Sequence, residues 1–277
     1  MTNPPLPIAL TIAGSDSGGG AGIQADLKTF QAFGVFGTSA LTAVTAQNTM
    51  GVQAIHPIPT EIVRAQIDSV AADLRPAGLK SGMLATAELV QAVAEAIRDH
   101  RLINYVMDPV MVATSGDRLL ARDAEAALAS ELIPLATLVT PNLHEARILT
   151  GRTVRTLEEM RVAARALVEM GAGAALVKGG HLEEQGEGGV VDLLWDGRRE
   201  FTWERKRVDT PHTHGTGCTL SAAAAAGLAQ GLPLPEAVDM AVDFVARAIG
   251  SAPGLGNGHG PVNHFAGTRF IPGMDLP

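Results

Sequence analysis

Short apolar runs alternate with longer segments of helical periodicity along the whole chain. In the segment 61–74, four apolar residues recur near one face at helical spacing: Ile62, Ala65, Ile67 and Val70. The apolar runs predict strands at 8–13, 38–46, 79–81, 105–107, 138–140, 174–178, 190–195 and 201–207. The periodic segments predict helices at 23–32, 61–74, 87–100, 122–132, 157–170, 219–229 and 235–249.

Strands that alternate with helices of this length are typical of βαβ units, and they predict a mainly parallel sheet covered by helices on both faces. The last two predicted strands are an exception, because Asp196-Gly197 between them is a hairpin signal. We therefore expect a small antiparallel edge on the sheet. Since no linker rich in Pro, Ser or Gly divides the sequence, residues 1–277 are predicted to form a single α/β domain.

Composition narrows the classes of function. The 277 residues carry a formal net charge of −8, and the longest basic run is Arg205-Lys206-Arg207, which argues against nucleic acid or a membrane as the main partner. Apolar residues make up 46% and charged residues 18%, as in globular proteins. No segment approaches the roughly 20 apolar residues of a membrane span. A single cysteine cannot form an internal disulfide, so we expect a cytoplasmic protein.

The segment His214-Gly215-Thr216-Gly217-Cys218 leads directly into an alanine-rich helix. A loop with two glycines at a helix N-terminus directs unpaired backbone N–H groups to one point, where the helix dipole also favours negative charge. This pattern predicts an anion hole, and it indicates that the chain handles phosphoryl groups.

Ligands of open α/β sheets bind at the carboxyl ends of the strands. Unusual residues follow six of the predicted strands: the glycine loop 14–22, Gln47-Asn48, Gly82-Met83, Asp108-Pro109-Val110-Met111, Pro141-Asn142 with Glu145, and Gly179-Gly180-His181 after Lys178. Their shared position at one sheet edge predicts a binding cleft.

Two common nucleotide motifs are absent from the sequence. The glycine loop lacks G-x-G-x-x-G spacing, and no acidic residue closes the next strand, which argues against a dinucleotide cofactor. Neither Lys80 nor Lys178 has the neighbours that a P-loop requires. Lys178 is interpreted as a phosphate-binding charge because two glycines follow it, and the alternative is a strand-end lysine that extends to water.

Three carboxylates are candidates for ligand contact. Asp108 and Glu145 are oxygen donors of the kind that Mg²⁺ accepts, although Glu145 fits almost equally well as an acid at a helix N-terminus. Asp26 would meet a small ring held on the glycine loop from the side, or else it is a solvated acid in an early helical turn.

Cys218 and His214 adjoin the predicted anion hole. A helix N-terminus lowers the pKa of a thiol, so Cys218 is a candidate to take a proton from an attacking alcohol. The alternative is a small buried apolar residue. His212 and His214 form an H-x-H pair without a third ligand motif, so His214 is expected to brace the loop by a hydrogen bond instead of binding zinc.

Eight short blocks occur in order over nearly the whole chain. They are Ala-Leu-Thr-Ile-Ala-Gly-Ser-Asp (9–16), Gly-Ala-Gly-Ile-Gln-Ala-Asp-Leu-Lys (20–28), Thr-Ala-Gln-Asn-Thr (45–49), Ser-Gly-Met-Leu (81–84), Asp-Pro-Val-Met (108–111), Thr-Pro-Asn-Leu-His-Glu-Ala (140–146), Lys-Gly-Gly-His (178–181) and Thr-His-Gly-Thr-Gly-Cys-Thr-Leu-Ser-Ala (213–222). Together they resemble the hydroxymethylpyrimidine/phosphomethylpyrimidine kinases of thiamine biosynthesis, within the ribokinase-like superfamily. The resemblance implies a three-layer α/β/α fold and a homodimer.

The resemblance also implies a reaction, which is ATP- and Mg²⁺-dependent phosphorylation of the CH₂OH group of 4-amino-5-hydroxymethyl-2-methylpyrimidine and then of its monophosphate. It assigns Gln47 and Asp26 to the aminopyrimidine, and it assigns the walls of the ring pocket to Gly14, Ala21, Met83 and Val110. It assigns the metal and phosphates to Asn142, Glu145, Asp108 and Lys178. The γ-phosphate would bind the backbone of 215–218, with Cys218 beside the alcohol.

One departure from the family lies in the glycine loop, which has Ser-Asp-Ser-Gly-Gly-Gly where the family usually has Ser-Asp-Pro-Ser-Gly-Gly. Two alternative functions remain. A pyridoxal or pyridoxine kinase acts on a similar CH₂OH-bearing ring, although Gln47 and Met83 favour the aminopyrimidine. A non-catalytic pyrimidine-binding protein is the other, and it would need no metal or phosphate apparatus.

Overall fold

The computed structural model describes residues 6–111, 122–180, 182 and 189–267. In this part of the chain a central sheet contains β1 (Ile8–Ala13), β2 (Phe36–Leu41), β5 (Gly78–Ser81), β6 (Tyr105–Met107), β7 (Leu138–Val139), β8 (Ala175–Gly179), β9 (Gly189–Trp195) and β10 (Glu200–Lys206). Two further strands, β3 (Ala43–Asn48) and β4 (Gly51–Pro57), pair in a sheet of their own.

The central sheet is parallel except at one edge, as predicted. Its strand order is β10-β9-β8-β7-β6-β5-β1-β2, and every pair from β8 to β2 is parallel. Strand β9 is antiparallel to both of its neighbours. The predicted hairpin is confirmed, because the carboxylate of Asp196 accepts the N–H groups of Arg198 and Arg199 in its turn. The carboxyl ends of the parallel strands therefore meet at a common edge.

Helices cover both faces of the central sheet, which confirms the three-layer α/β/α arrangement. They are α1 (Gly22–Ala32), α2 (Thr60–Asp73), α3 (Ala87–Asp99), α4 (Arg122–Ala127), α5 (Leu143–Thr150), α6 (Leu157–Glu169), α7 (Thr216–Ala229) and α8 (Leu234–Gly250). Successive strand residues point to opposite faces. Leu10 and Ile12 belong to a buried core cluster that also contains residues of α2, α3 and α6, whereas Ala9 belongs to a second cluster with residues of α1, α7 and α8. None of the helices in the described ranges has the length and apolar character that a bilayer crossing requires.

The prediction of a single strand at 38–46 is wrong. The chain leaves the central sheet at Thr42, whose N–H donates to the carbonyl of Ala13 (3.0 Å) and whose hydroxyl donates to the carbonyl of Met83 (2.9 Å). Residues 43–48 then pair with β4, which the hydrophobic pattern missed because most of β4 is exposed and lacks apolar alternation. Gln47 consequently lies within a strand of the smaller sheet and not after a strand of the central one.

Three helices differ from the predictions by more than one residue. Helix α5 was not predicted, since its 8 residues are too few for a clear periodic pattern. The predicted helix 122–132 is α-helical only to Ala127 and continues as π and 3₁₀ turns to Leu135, around Pro134. Helix α7 begins at Thr216, three residues before its predicted start. His181, at the end of the block 178–181, lies outside the described residues.

Helix α7 is rich in alanine because it packs closely against the sheet. Ala225 is fully buried, and its carbonyl oxygen lies 2.9 Å from the position that a Cβ atom on Gly78 would occupy. We expect Ala225→Leu to lower the free energy of unfolding by about 1–3 kcal/mol, because added volume in a tight core forces strained rotamers. Urea unfolding followed by circular dichroism measures the change. Ala72→Leu, at an exposed position of α2, is the matched control, and equal stability of the two variants would contradict this packing.

Candidate active site

A cleft of about 1160 Å³ lies at the carboxyl ends of the parallel strands. It is large enough to hold a nucleotide beside a second small ligand. Its lining includes every candidate residue of the sequence analysis except Asp26: Gly14, Ala21, Gln47, Met83, Asp108, Val110, Asn142, Glu145, Lys178, Gly215, Thr216, Gly217 and Cys218. The strand-end rule therefore located the cleft.

The loop before α7 presents backbone donors to this cleft. Gly215 is the N-cap of the helix with a φ of 81°, a conformation that favours glycine. The N–H of Thr219 donates to the carbonyl of Gly215 (2.8 Å) and starts the helical pattern. The N–H groups of Gly217 and Cys218 have no backbone acceptor among the described residues. They lie at the positive end of the helix dipole, so the geometry of an anion hole is present.

A buried ion pair lies beside these donors. The ammonium of Lys178 donates to Asp108 Oδ1 at 3.1 Å. A Cβ atom on Gly217 would lie 3.2 Å from Lys178 Nζ and 3.7 Å from Asp108 Oδ2. Burial alone would lower the pKa of Lys178, but the carboxylates of Asp108 and Glu145 raise it above its ordinary value. The ammonium therefore stays charged next to the unpaired N–H groups.

Asn142 and Glu145 define the start of α5 by a capping box. The side chain of Asn142 accepts the N–H of Glu145 (2.9 Å), and the carboxylate of Glu145 accepts the N–H of Asn142 (2.8 Å). Burial raises the pKa of Glu145; Lys178 opposes that rise and Asp108 adds to it. The interpretation of Glu145 as a helix N-terminal acid is thus confirmed, and its role as a metal ligand stays a prediction.

The two carboxylates fit a magnesium ion that arrives with a nucleotide. The described residues contain no group of three or more His, Cys, Asp or Glu side chains that could hold a metal ion. Mg²⁺ commonly takes only one or two carboxylates and completes its shell with phosphate oxygens and water. Asp108 and Glu145 are both buried, and Asp108 lies close enough to raise the pKa of Glu145. A cation between Asp108 and Glu145 would offset the repulsion between their two carboxylates.

Small and apolar residues line the cleft beside the glycine loop. Met83 packs against Gly14, where a Cβ atom would lie only 2.6 Å from Met83 Cε. Ala21 and Val110 line the same cleft, and Gln47 contributes one carboxamide. A carboxamide both donates and accepts hydrogen bonds, so this region suits a flat ring whose edge carries the same pair.

The glycine loop is organised around Asp16, to which the sequence analysis gave no role. Its carboxylate accepts the N–H groups of Gly18 (2.8 Å), Gly20 (3.0 Å) and Ala21 (2.8 Å), and it contacts His214 Nε2 at 2.8 Å. Burial raises the pKa of Asp16, but the hydrogen bonds from His214 and the backbone hold it below its usual range. The prediction that His214 braces a loop is confirmed. An aspartate just before a run of glycines was the available signal, since such side chains accept N–H groups a few residues on.

Asp26 is not among the residues that line the cleft, so its contact with a ring stays a prediction, whereas the alternative of a solvated acid is wrong because the side chain is fully buried. It is fully buried in α1, where it accepts the hydroxyl of Thr11 (2.6 Å) and the ammonium of Lys80 (2.9 Å). Burial raises the pKa of Asp26 in spite of Lys80. Lys80 is itself fully buried at the floor of the cleft. The sequence analysis gave Lys80 no role, and a lysine inside a short apolar strand was the one signal that it has a buried partner.

Cys218 is half-buried in the first turn of α7. Burial raises the pKa of its thiol to about 11, although the ammonium of Lys80 lowers it. The expected lowering of this pKa is therefore wrong, because desolvation outweighs the helix N-terminus and the neighbouring charge. At neutral pH the side chain is a thiol. Its part in catalysis stays a prediction.

The family model described as phosphomethylpyrimidine kinase matches residues 16–263. The chain belongs to this family. The hydroxymethylpyrimidine/phosphomethylpyrimidine kinase of Bacillus subtilis is 49% identical over 94% of this chain and 96% of its own length. The thiamine biosynthesis bifunctional protein ThiED of Geobacter sulfurreducens is 49% identical over 96% of this chain and 54% of its own length. As a member of the phosphomethylpyrimidine kinase family, the chain is a phosphotransferase.

A solved structure supports the same assignment of fold. The ADP complex of Bacillus subtilis pyridoxal kinase is 40% identical, with a TM-score of 0.87 over 95% of this chain and 98% of that chain. This similarity confirms the ribokinase-like fold that the sequence predicted. A kinase named for a different substrate thus shares the framework of the phosphomethylpyrimidine kinase family.

Substitution of Gly217 tests the anion hole. We expect Gly217→Asp to lower kcat/KM for ATP-dependent phosphoryl transfer by about 10²-fold or more, because a carboxylate there repels phosphate. Gly217→Ala is the matched control, since it adds only an uncharged methyl group, 3.2 Å from Lys178 Nζ. Steady-state kinetics measures the effect, and circular dichroism confirms the fold. If folded Gly217→Asp turned over as fast as Gly217→Ala, phosphate would have to bind elsewhere.

The raised pKa of Cys218 can be measured directly, because it is the single cysteine of the chain. With a thiol pKa of about 11, the thiolate fraction increases over the whole range from pH 7 to pH 10. The rate of alkylation by iodoacetamide should therefore rise about tenfold per pH unit. Intact-protein mass spectrometry follows the reaction, with Cys218→Ala as the blank. A rate that levels off near pH 7 would instead indicate a thiolate poised to act as a base.

Proposed function

We propose that the chain uses ATP to phosphorylate the hydroxymethyl group of 4-amino-5-hydroxymethyl-2-methylpyrimidine, and then converts the monophosphate to the diphosphate, in thiamine biosynthesis. One observation carries this proposal. The unpaired N–H groups of Gly217 and Cys218 adjoin the Lys178–Asp108 pair in the same cleft as Gln47. A phosphate site and a site for a polar ring edge in one cleft suit transfer between a nucleotide and a small heterocycle.

Charge stabilisation is the main contribution on the phosphate side. During transfer, negative charge is spread over the equatorial oxygens of the γ-phosphoryl group, and positioned donors lower the barrier. In the proposal the N–H groups of Gly217 and Cys218 bind these oxygens, together with the ammonium of Lys178. The 3.1 Å ion pair with Asp108 holds that ammonium in place before a nucleotide binds. In the proposal Asn142, at the start of α5, donates its side-chain N–H to a phosphate.

The proposal includes Mg²⁺ bound with ATP. Asp108 and Glu145 would hold the ion, which supplies neutralisation of the phosphate oxygens when bound. The use of an adenine nucleotide is supported by the ADP complex of the similar pyridoxal kinase.

The proton of the attacking alcohol needs no strong base, because alignment and charge stabilisation account for most of the catalysis of phosphoryl transfer. Cys218 is a neutral thiol at pH 7, since burial raises its pKa to about 11. We therefore assign Cys218 to contact with the alcohol and not to its deprotonation. Cys218→Ala would then lower turnover more than it weakens binding of the pyrimidine.

A second substrate is supported by one comparison, the likeness to Bacillus subtilis pyridoxal kinase. Pyridoxal also carries a CH₂OH group on a flat six-membered ring, and a ring pocket with few polar contacts discriminates modestly. The family resemblance further implies a cytoplasmic homodimer, and sedimentation velocity tests the dimer.

Product analysis tests the function. Purified protein is incubated with ATP and Mg²⁺ and, separately, with the aminopyrimidine alcohol, its monophosphate or pyridoxal, and the products are identified by mass. We expect the monophosphate from the alcohol and the diphosphate from the monophosphate. Lys178→Met should lower both rates about 10²–10³-fold, because it removes a charge from the transferring phosphoryl group.

The control for this loss of charge is Arg198→Met, at an exposed position of the β9–β10 turn outside the cleft. Arg198→Met should retain both phosphorylation rates of the unsubstituted protein. Phosphorylation of pyridoxal alone would replace the proposed substrate, and pyrimidine binding without any transfer would support a non-catalytic binding protein.

A further inference from the structure

The carboxamide of Gln47 lies between two polar neighbours. One of its ends lies 3.3 Å from Thr45 Oγ1, and the other lies 3.5 Å from His214 Nε2. The oxygen and nitrogen of a carboxamide have nearly the same shape, so the hydrogen bonds around it decide which end faces which neighbour. Each neighbour has one hydrogen whose position other contacts fix.

The hydrogen on His214 is fixed by Asp16. Oδ2 of Asp16 accepts the N–H groups of Gly20 and Ala21, and Oδ1 accepts that of Gly18. A carboxylate with this set of donors is an acceptor only, and His214 Nε2 lies 2.8 Å from Oδ2. Nε2 of His214 must therefore carry a hydrogen. This hydrogen is directed to Asp16, so Nε2 of His214 cannot accept a hydrogen bond from the nitrogen of Gln47.

The hydrogen on Thr45 is fixed by the glycine loop. Its hydroxyl lies 2.7 Å from the carbonyl oxygen of Ser15, a distance that requires a hydrogen bond donated by Thr45. The single hydroxyl hydrogen is then used. Toward Gln47, the Thr45 oxygen can only accept.

Only one orientation of the carboxamide satisfies both neighbours. With the nitrogen toward His214, two donors would face each other, and two acceptors would face each other at Thr45. With the oxygen of Gln47 toward His214 and its nitrogen toward Thr45, the contact with Thr45 becomes a hydrogen bond, and no two donors face each other at His214. A register shift in the pairing of β3 with β4 between Ala46 and Gln47 accompanies this arrangement, and such irregularities redirect side chains near binding sites.

We propose that His214 and Thr45 are positioning residues that turn the oxygen of the Gln47 carboxamide toward the phosphate loop and thereby select a 4-amino over a 4-oxo pyrimidine. This inference rests on the proposed function. The remaining lone pair of the oxygen accepts an exocyclic N–H, and the remaining N–H of the nitrogen donates to a ring nitrogen. A 4-oxo pyrimidine presents the reverse pattern, with an exocyclic oxygen and a ring N–H.

The fixed orientation also aligns the ring for reaction. The exocyclic amino group, paired with the oxygen of Gln47, lies on the side of His214. In the proposed substrate the carbon that bears the hydroxymethyl group is directly bonded to the carbon that bears this amino group. The hydroxymethyl group is then on the His214 side of the ring, and Gly215, the N-cap of α7, follows His214 in the chain.

The test compares 5-hydroxymethyl-2-methylpyrimidines with a 4-amino or a 4-oxo group. The ratio of kcat/KM values for phosphorylation is measured, and the ratio of dissociation constants is measured by calorimetry without ATP. We expect Thr45→Val and His214→Phe to lower the preference for the 4-amino compound about tenfold, because the first removes the acceptor of the amide N–H and the second removes the imidazole N–H that excludes the amide nitrogen. Thr45→Ser keeps the hydroxyl and should retain the preference of the unsubstituted protein.

The outcomes separate this inference from the proposed function. If Thr45→Val lowered kcat/KM equally for both compounds, Thr45 would have only a structural role. That result would overturn the inference and leave the proposed kinase activity standing. Thr45→Val also keeps the test valid if His214→Phe fails to fold, since it leaves the contact between His214 and Asp16 in place. The variants could lower the binding preference for the 4-amino compound while neither they nor the unsubstituted protein phosphorylates either compound. That result would support the inference and contradict the kinase proposal.

Discussion

The close approach of two loops is the constraint on which the cleft depends. A Cβ atom on Gly215 would overlap the carbonyl oxygen of Gly20, and its φ of 81° also favours glycine. Across this contact His214 donates to the buried carboxylate of Asp16, a charged hydrogen bond of the kind worth about 1.5–3 kcal/mol. The ring pocket and the anion hole therefore hold fixed positions relative to each other, which in-line transfer over a short distance requires.

Buried charge is the second feature that organises the cleft. Lys80 and Asp26 form a fully buried pair beneath it, and the partly buried Lys178 pairs with the buried carboxylate of Asp108 beside Gly217. Removal of one partner from such a pair typically costs about 3–5 kcal/mol, because the other charge is left desolvated and unpaired. These side chains are consequently held in place before any ligand arrives. Preorganised charge of this kind stabilises a developing phosphate charge better than water, which has to reorient.

The sequence predicted the central sheet and the cleft well, because both follow from short-range patterns. Apolar runs define strands, and the residues after parallel strands gather at one edge, so Lys178 and Asp108 were placed correctly in the cleft. Errors arose where a distant partner decides the outcome. Asp26 turned inward because Lys80 is buried beside it, and the pKa of Cys218 rose because the fold removes water from a helix start that would otherwise favour a thiolate.

The small β3–β4 sheet explains how one framework serves more than one ring. A two-stranded sheet is marginally stable alone, and here the glycine loop holds it. The hydroxyl of Ser17 donates to the carbonyl of Gln47 and accepts its N–H, while the N–H of Ser15 donates to the carbonyl of Ala43. The proposed phosphate apparatus lies elsewhere, on the central sheet and α7. In the proposed function the polar contact with the ring and the phosphate chemistry are carried by different elements, so a substitution near Gln47 would change the ring that binds while Lys178 and the anion hole keep their geometry.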